Sequence, residues 1–155
     1  MSGDESLALA EVSRAQAVAA KVDWRAQRYE ERASLLTLAV VSAPFNAGHA
    51  RRLLAEYQGL YPHGLSAAIE ASHEPSRVRA HESYAEGRVH QFLGNAALAT
   101  RLLNDAYRIL VRIGHPFRAA LAAKALYEIT HESSWSQAAR MQAAAFPNCM
   151  VAQKL

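Results

Sequence analysis

The sequence predicts an all-α fold of stacked antiparallel helical hairpins. Three observations predict it. Apolar residues recur every three or four positions along most of the chain, the period of a helix face and not of an alternating strand. Ala, Leu and Arg are frequent, whereas the β-favouring Ile, Phe and Thr are comparatively scarce. The 7 Gly and 5 Pro fall mostly where helices should end. At 155 residues, 51% of them hydrophobic, the chain has the length of a domain and the material for a core.

Residues 1–22 are read as an N-terminal capping helix with Leu7, Leu9, Val12 and Val18 as its apolar positions. Asp23 is the candidate N-cap of a helix from Trp24 through Leu35, Leu36 and Leu38 to about Ala43. Pro44 stops it, because proline has no N–H for the next backbone bond. After the turn Phe45-Asn46-Ala47-Gly48, a helix starting near His49 carries Leu53, Leu54 and Tyr57. Tyr61-Pro62-His63-Gly64 breaks it, and 65–73 add one or two helical turns.

Pro75 suits the first position of the next helix, whose apolar row is Val78, Ala85, Val89, Phe92 and Leu93. Gly94-Asn95 should end that helix and cap the following one. Over 96–113, Leu98, Leu102, Ala106, Ile109, Leu110 and Ile113 form one face, and Arg101, Asp105, Arg108 and Arg112 the other. Gly114 closes this helix and Pro116 opens another, running from 117 to about 130. Ser134-Trp135-Ser136-Gln137 has capping-box spacing and predicts a last helix reaching Phe146, before Pro147. The repeat domain is therefore 23–147, about three hairpins, followed by a tail at 148–155.

Hairpins starting near Pro75 and Pro116 imply a repeat of about 40 residues, in the range of helical solenoids. Within 83–112, small residues stand at Gly87, Ala99 and Ala106, a turn glycine at Gly94, and a large apolar filler at Leu103. This pattern resembles a tetratricopeptide repeat, in which small side chains let paired helices approach. The next unit, 117–146, shares the helix lengths, the turn, Ala138 and Ala145. Glu86 and the lack of a proline near Val111 depart from the family pattern.

Three phrases carry a narrower resemblance: Gly87-Arg-Val-His-Gln-Phe-Leu-Gly94, Ile113-Gly-His-Pro-Phe-Arg-Ala-Ala-Leu-Ala, and Trp135…Ala138-Ala139…Phe146-Pro147. They are similar to the C-terminal helical arrays of LuxR-type bacterial transcriptional regulators. The resemblance implies a sensing array for ligands or partners, with DNA read by a separate segment that is not evident here.

With 17 Lys+Arg against 14 Asp+Glu, the net charge of +3 is too small to argue for direct nucleic-acid binding. One cysteine, Cys149, excludes an internal disulfide framework. The opening Met1-Ser-Gly-Asp-Glu-Ser lacks a basic-plus-apolar pattern, so no secretory leader is expected, and no apolar run approaches the ~20 residues of a membrane span. A cytoplasmic location without membrane contact is expected.

If the repeat register holds, His81, Tyr84, Arg88 and Gln91 face a groove together with Lys124, Tyr127 and His131 of the next repeat. Such a mixture of aromatic and cationic groups suits a protein or peptide partner or a small anionic ligand. The competing account makes each of these a solvated side chain or an inter-helix contact. No catalytic nucleophile or phosphate loop is recognisable, so a non-enzymatic binding or sensing module needing no cofactor or metal is the expectation.

Two alternatives stand beside it. Glu70-x-x-His73 and Glu128-x-x-His131, with Glu30 or Glu31 and Glu82 or Glu86, match the ligand order of a di-metal four-helix bundle. Both pairs, however, fall at predicted helix ends. The other alternative is a self-assembling subunit, a homo-oligomer joined through its open ends.

Overall fold

In the computed structural model, residues 24–60 and 77–146 are described. The expected helix at 1–22, the Asp23 cap, the break at Tyr61–Gly64, the turns at 65–73, the Pro75 start and the tail at 148–155 lie outside them. The chain divides into two compact units, Met1–Pro62 and His63–Leu155. All secondary structure among the described residues is helical: α1 (Trp24–Ser42) and α2 (Ala47–Gly59), then α3 (Arg77–Phe92), α4 (Ala96–Arg112), α5 (Pro116–Thr130) and α6 (Ser133–Ala143). None of these helices is long and apolar enough to cross a membrane.

The first unit contains the α1–α2 hairpin. Leu35, Leu36, Leu38 and Ala39 of α1 are buried, as are Ala50, Leu53, Leu54 and Tyr57 of α2. At the turn, the Ser42 carbonyl accepts from Phe45 N and Asn46 N, bridging the N–H that Pro44 lacks. α2 starts ahead of the expected His49, because the Asn46 side chain accepts from His49 N at 3.0 Å and acts as its N-cap. Arg32 is only 2% exposed, and its guanidinium lies 5.4 Å from the centre of the Tyr57 ring.

The second unit contains the α3–α4 and α5–α6 hairpins. Gly94 and Gly114 adopt left-handed conformations, φ +80° and +67°. At each, the glycine N–H reaches back three residues and the following N–H five: Gly94 to Gln91 and Asn95 to His90, Gly114 to Val111 and His115 to Leu110. The junctions α3–α4 and α4–α5 therefore share one Schellman-type geometry, as the glycine placement predicts.

Gly87 faces α4 at a very short distance. A Cβ there would lie 2.8 Å from Leu103 Cγ and 3.2 Å from Leu103 N. Leu103 is fully buried, in a cluster with Ala125 and Leu126 of α5. A second cluster joins Ala80, Ala106 and Leu110 to Ala119 and Ala122. Leu103 thus meets the end of α5 and Leu110 its start, so α4 and α5 run antiparallel. Six residues of α5 are buried: Ala119, Ala120, Ala122, Ala123, Ala125 and Leu126. α6 closes the layer through Ala139 and Ala143 and through Trp135, whose ring stands edge-on to Tyr107 at 5.3 Å.

Several expected details differ. The buried residues of α3 are Ala80, Ser83, Gly87, Val89 and His90; Val78, Ala85 and Leu93 are partly buried and Phe92 is exposed. Val89 of the expected row is buried, and the close approach of α4 selects the small Ala80, Ser83 and Gly87 over the rest of it. In α4 the deepest positions are Ala99, Leu103, Ala106 and Leu110, with Leu98, Leu102, Ile109 and Ile113 flanking them. Asp105 is held by Arg79 of α3 at 3.0 Å.

The Ser134 capping box does not form. His131, in the left-handed region at φ 57°, ends α5, and Glu132 alone separates it from α6. Ser134 is thus already inside the first turn. α6 also stops at Ala143, short of Phe146, whose ring packs edge-on against Phe117 at 6.0 Å.

Asn95 occupies the N-cap position of α4 without capping it. Its amide lies 3.1 Å from His90 Nδ1 instead. With the amide donating, Nδ1 accepts and the ring is neutral. His90 Nε2 is buried with no hydrogen-bond partner, and Glu86 stays 3.9 Å away. Burial holds the His90 pKa below its ordinary 6.5, against a weaker upward pull from Glu86.

Two predictions follow from this packing. Gly87→Ala gains ~1 kcal/mol of helix preference. The crowding of Leu103 costs about 1–3 kcal/mol, so denaturant titration should show a net loss of stability. In a Leu103→Ala background only the contact with Leu103 N remains, so the loss should shrink or reverse; a loss of equal size there would clear the Leu103 side chain as its cause. For His90, falling pH protonates the unfolded chain first. Its contribution is therefore intact above about 6.5 and drains away as pH drops through the folded pKa. Thermal melts between pH 7.5 and 5 should show this acid loss, and His90→Gln should flatten it.

Candidate functional site

One face of α3 carries Arg77, His81, Tyr84, Arg88 and Gln91 at alternating steps of four and three, the spacing of a helical stripe. It faces α5. Arg88 Nη1 and Gln91 Nε2 both donate to Glu128 Oε2, each at 3.1 Å. At the other end, the His81 ring meets the ring of His115, which precedes α5, edge-on at 6.0 Å and 81°. The contacts advance in the same direction on both helices, so α3 and α5 lie parallel. These are the first helices of successive hairpins.

The expected groove residues divide into three groups. Arg88 and Gln91 are inter-helix contacts through Glu128, and Arg88 also lies 5.0 Å from the centre of the exposed Phe92 ring. Tyr84 contributes its ring to the core, packing against both apolar clusters. Burial raises its pKa above the ordinary 10.0; Arg88 and Arg118 pull it down and Glu128 pushes it up. Tyr127 and His131 form an edge-on pair at 6.2 Å on the exposed side of α5, and Lys124 is partly buried one turn before them.

His81 belongs to the cationic end of the stripe. Its Nε2 is buried without a hydrogen-bond partner. Burial lowers its pKa first, and Arg118, His115 and Arg77 lower it further by repulsion.

The groups missed in the sequence are Glu128 as an acceptor for α3, together with Arg77, His115 and Arg118. The signal was present: 88 and 128 differ by one repeat of about 40 residues. Reading Glu128 as half of a metal pair concealed it. In the structure Glu128 is engaged by Arg88 and Gln91, and Glu86 lies 3.9 Å from His90. Glu70 and His73 lie outside the described residues. Among the described residues no three His, Cys, Asp or Glu side chains gather into a metal-ligand set.

No protein-family model, curated protein or solved structure matches this chain.

Arg88 and Glu128 retain 20% and 38% side-chain exposure, so their pair should behave as a surface pair. A double-mutant cycle of Arg88→Ala and Glu128→Ala, followed by denaturant titration, should give a coupling of about 1 kcal/mol or less. A coupling of several kcal/mol would place the pair in the core and remove it from a binding surface.

Proposed function

We propose that this chain is a non-enzymatic helical-repeat module of the tetratricopeptide type that binds a protein segment or a small anionic ligand. One observation carries this reading: Arg88 and Gln91 of α3 converge on Glu128 of α5. The first helices of two hairpins thereby present a common surface. On it, charged and amide groups alternate with the exposed Phe92 and Tyr127. Aromatic faces beside a cation and a carboxylate give an extended segment both contact area and directional hydrogen bonds.

The small residues support the repeat type. Gly87 admits Leu103, and Ala99 and Ala106 are fully buried at the spacings the family uses. The regulatory role, in the cytoplasm and as part or relative of a LuxR-type regulator, follows the resemblance of the Gly87–Gly94, Ile113–Ala122 and Trp135–Pro147 phrases.

A displayed library of random peptides, panned on the protein, tests the reading. Enriched peptides should bind the wild-type chain in calorimetry. They should bind Tyr127→Ala and Arg88→Glu about tenfold or more weakly, a difference of ~1.4 kcal/mol, with unchanged helical circular dichroism. An absence of enrichment, or equal affinity for the variants, would dismiss this surface.

A further inference from the structure

The cations of α3 differ in how they are balanced. Arg79 is paired with Asp105, and Arg88 with Glu128. Arg77 at the start of α3 and Arg118 at the start of α5 have no ion pair among the described residues. His81 and His115 are in ring contact, and both arginines act on His81. The first turns of α3 and α5 contain no acidic residue. Four groups that are or can become cationic therefore share one end of the stripe, with no described carboxylate among them.

The backbone adds to this field. α3 and α5 are parallel, so their positive ends lie at the same end of the pair. No side chain caps the start of α5, where His115 occupies the cap position and Pro116 follows. His81 Nε2 is buried and unpartnered, a polar group that ordinarily finds a hydrogen-bonding neighbour.

We infer that Arg77, His81, His115 and Arg118 form a binding site for a phosphate-type oxyanion. A tetrahedral dianion has the oxygens to receive two guanidinium groups and an imidazolium at once. Its charge offsets the repulsion that Arg118, His115 and Arg77 exert on His81. Binding is then linked to proton uptake. Without the anion, burial, Arg118, His115 and Arg77 all oppose charge on His81. With the anion seated, the protonated ring is favoured, so affinity rises as pH falls. Tyr84, the next residue along the stripe, stays neutral in this range because burial raises its pKa. This site shares helices with the peptide surface but none of Arg88, Glu128 or Tyr127, so either can fail alone.

Sulfate is the first probe, since its charge is constant across the relevant pH range; inorganic phosphate and glycerol phosphate follow. Histidine ring signals of the whole chain are recorded by nitrogen-15 NMR at fixed ionic strength, with chloride as the control. Sulfate should shift His81 and His115 saturably while leaving the exposed His131 unchanged. Its affinity should rise about tenfold or more from pH 7.5 to 5.5, within the limit of one proton and tenfold per pH unit. The Arg77→Gln/Arg118→Gln variant should lose about tenfold or more in affinity with helicity intact, and Arg118→Lys should recover part of it. Tighter binding of glycerol phosphate than of phosphate would assign an ester ligand, and equal binding the free ion; both support the site. A response shared with His131, no saturable shift, or an unaltered double variant would overturn it.

Discussion

The second unit depends on the absence of a side chain at Gly87. Leu103 fills the position a Cβ would take, and its own backbone N lies 3.2 Å from that point. This approach buries Leu103 completely and lets the same side chain reach Ala125 and Leu126. α5 is thereby seated against α4. With α3 already in contact with α4, the faces of α3 and α5 come within reach of each other. The pairing of Arg88 and Gln91 with Glu128 is a consequence of that geometry. A larger residue at 87 would have to displace α4, and the polar stripe would lose its partner helix.

α5 shows why alanine suits this arrangement. A helix packed on several sides needs short side chains all round, and five of its six buried residues are Ala. Burying alanines contributes less per residue than burying leucines, because the hydrophobic effect scales with apolar area. Compensation comes from a few larger side chains at the junctions: Leu103, Leu110, Leu126, Tyr84, Tyr107 and Trp135. Tyr84 and Tyr107 touch both clusters and so join the two halves of the interface.

Much of the architecture was legible because it rests on backbone chemistry. Pro44, Gly94, Gly114 and Pro116 mark helix ends through a missing N–H or a left-handed φ, and both are properties of single residues. Gly87 was legible for another reason, as a small residue at tetratricopeptide-like spacing from Gly94 and Ala99. Ala99, Leu103 and Ala106 of α4 were legible in that same spacing, whereas apolar periodicity, which weights large side chains, missed Ala80, Ser83 and His90 on the buried face of α3. The Ser134 motif misled because a capping box is local, whereas the left-handed His131 fixed the helix start upstream. Glu128 was hidden for a different reason: its partners are about one repeat distant, and no local pattern records them.

The same shortness of side chain that blurs the hydrophobic pattern also shapes the surface. Alanine-lined contact is narrow, so long polar residues at its edges remain near the opposite helix without being swallowed by the core. Arg88 and Glu128 therefore meet while both keep contact with solvent. At the other end, His81 and His115 meet with Arg118 close enough to oppose protonation of His81. Parallel helices add their positive ends here and their negative ends near Glu128, so the two ends are electrically unlike. One end is already neutralised by its own carboxylate; the other retains arginines without a described counter-ion. That asymmetry, written in the order Arg77, His81, Tyr84, Arg88, Gln91, gives the stripe a direction along which an anionic group distinguishes one end from the other.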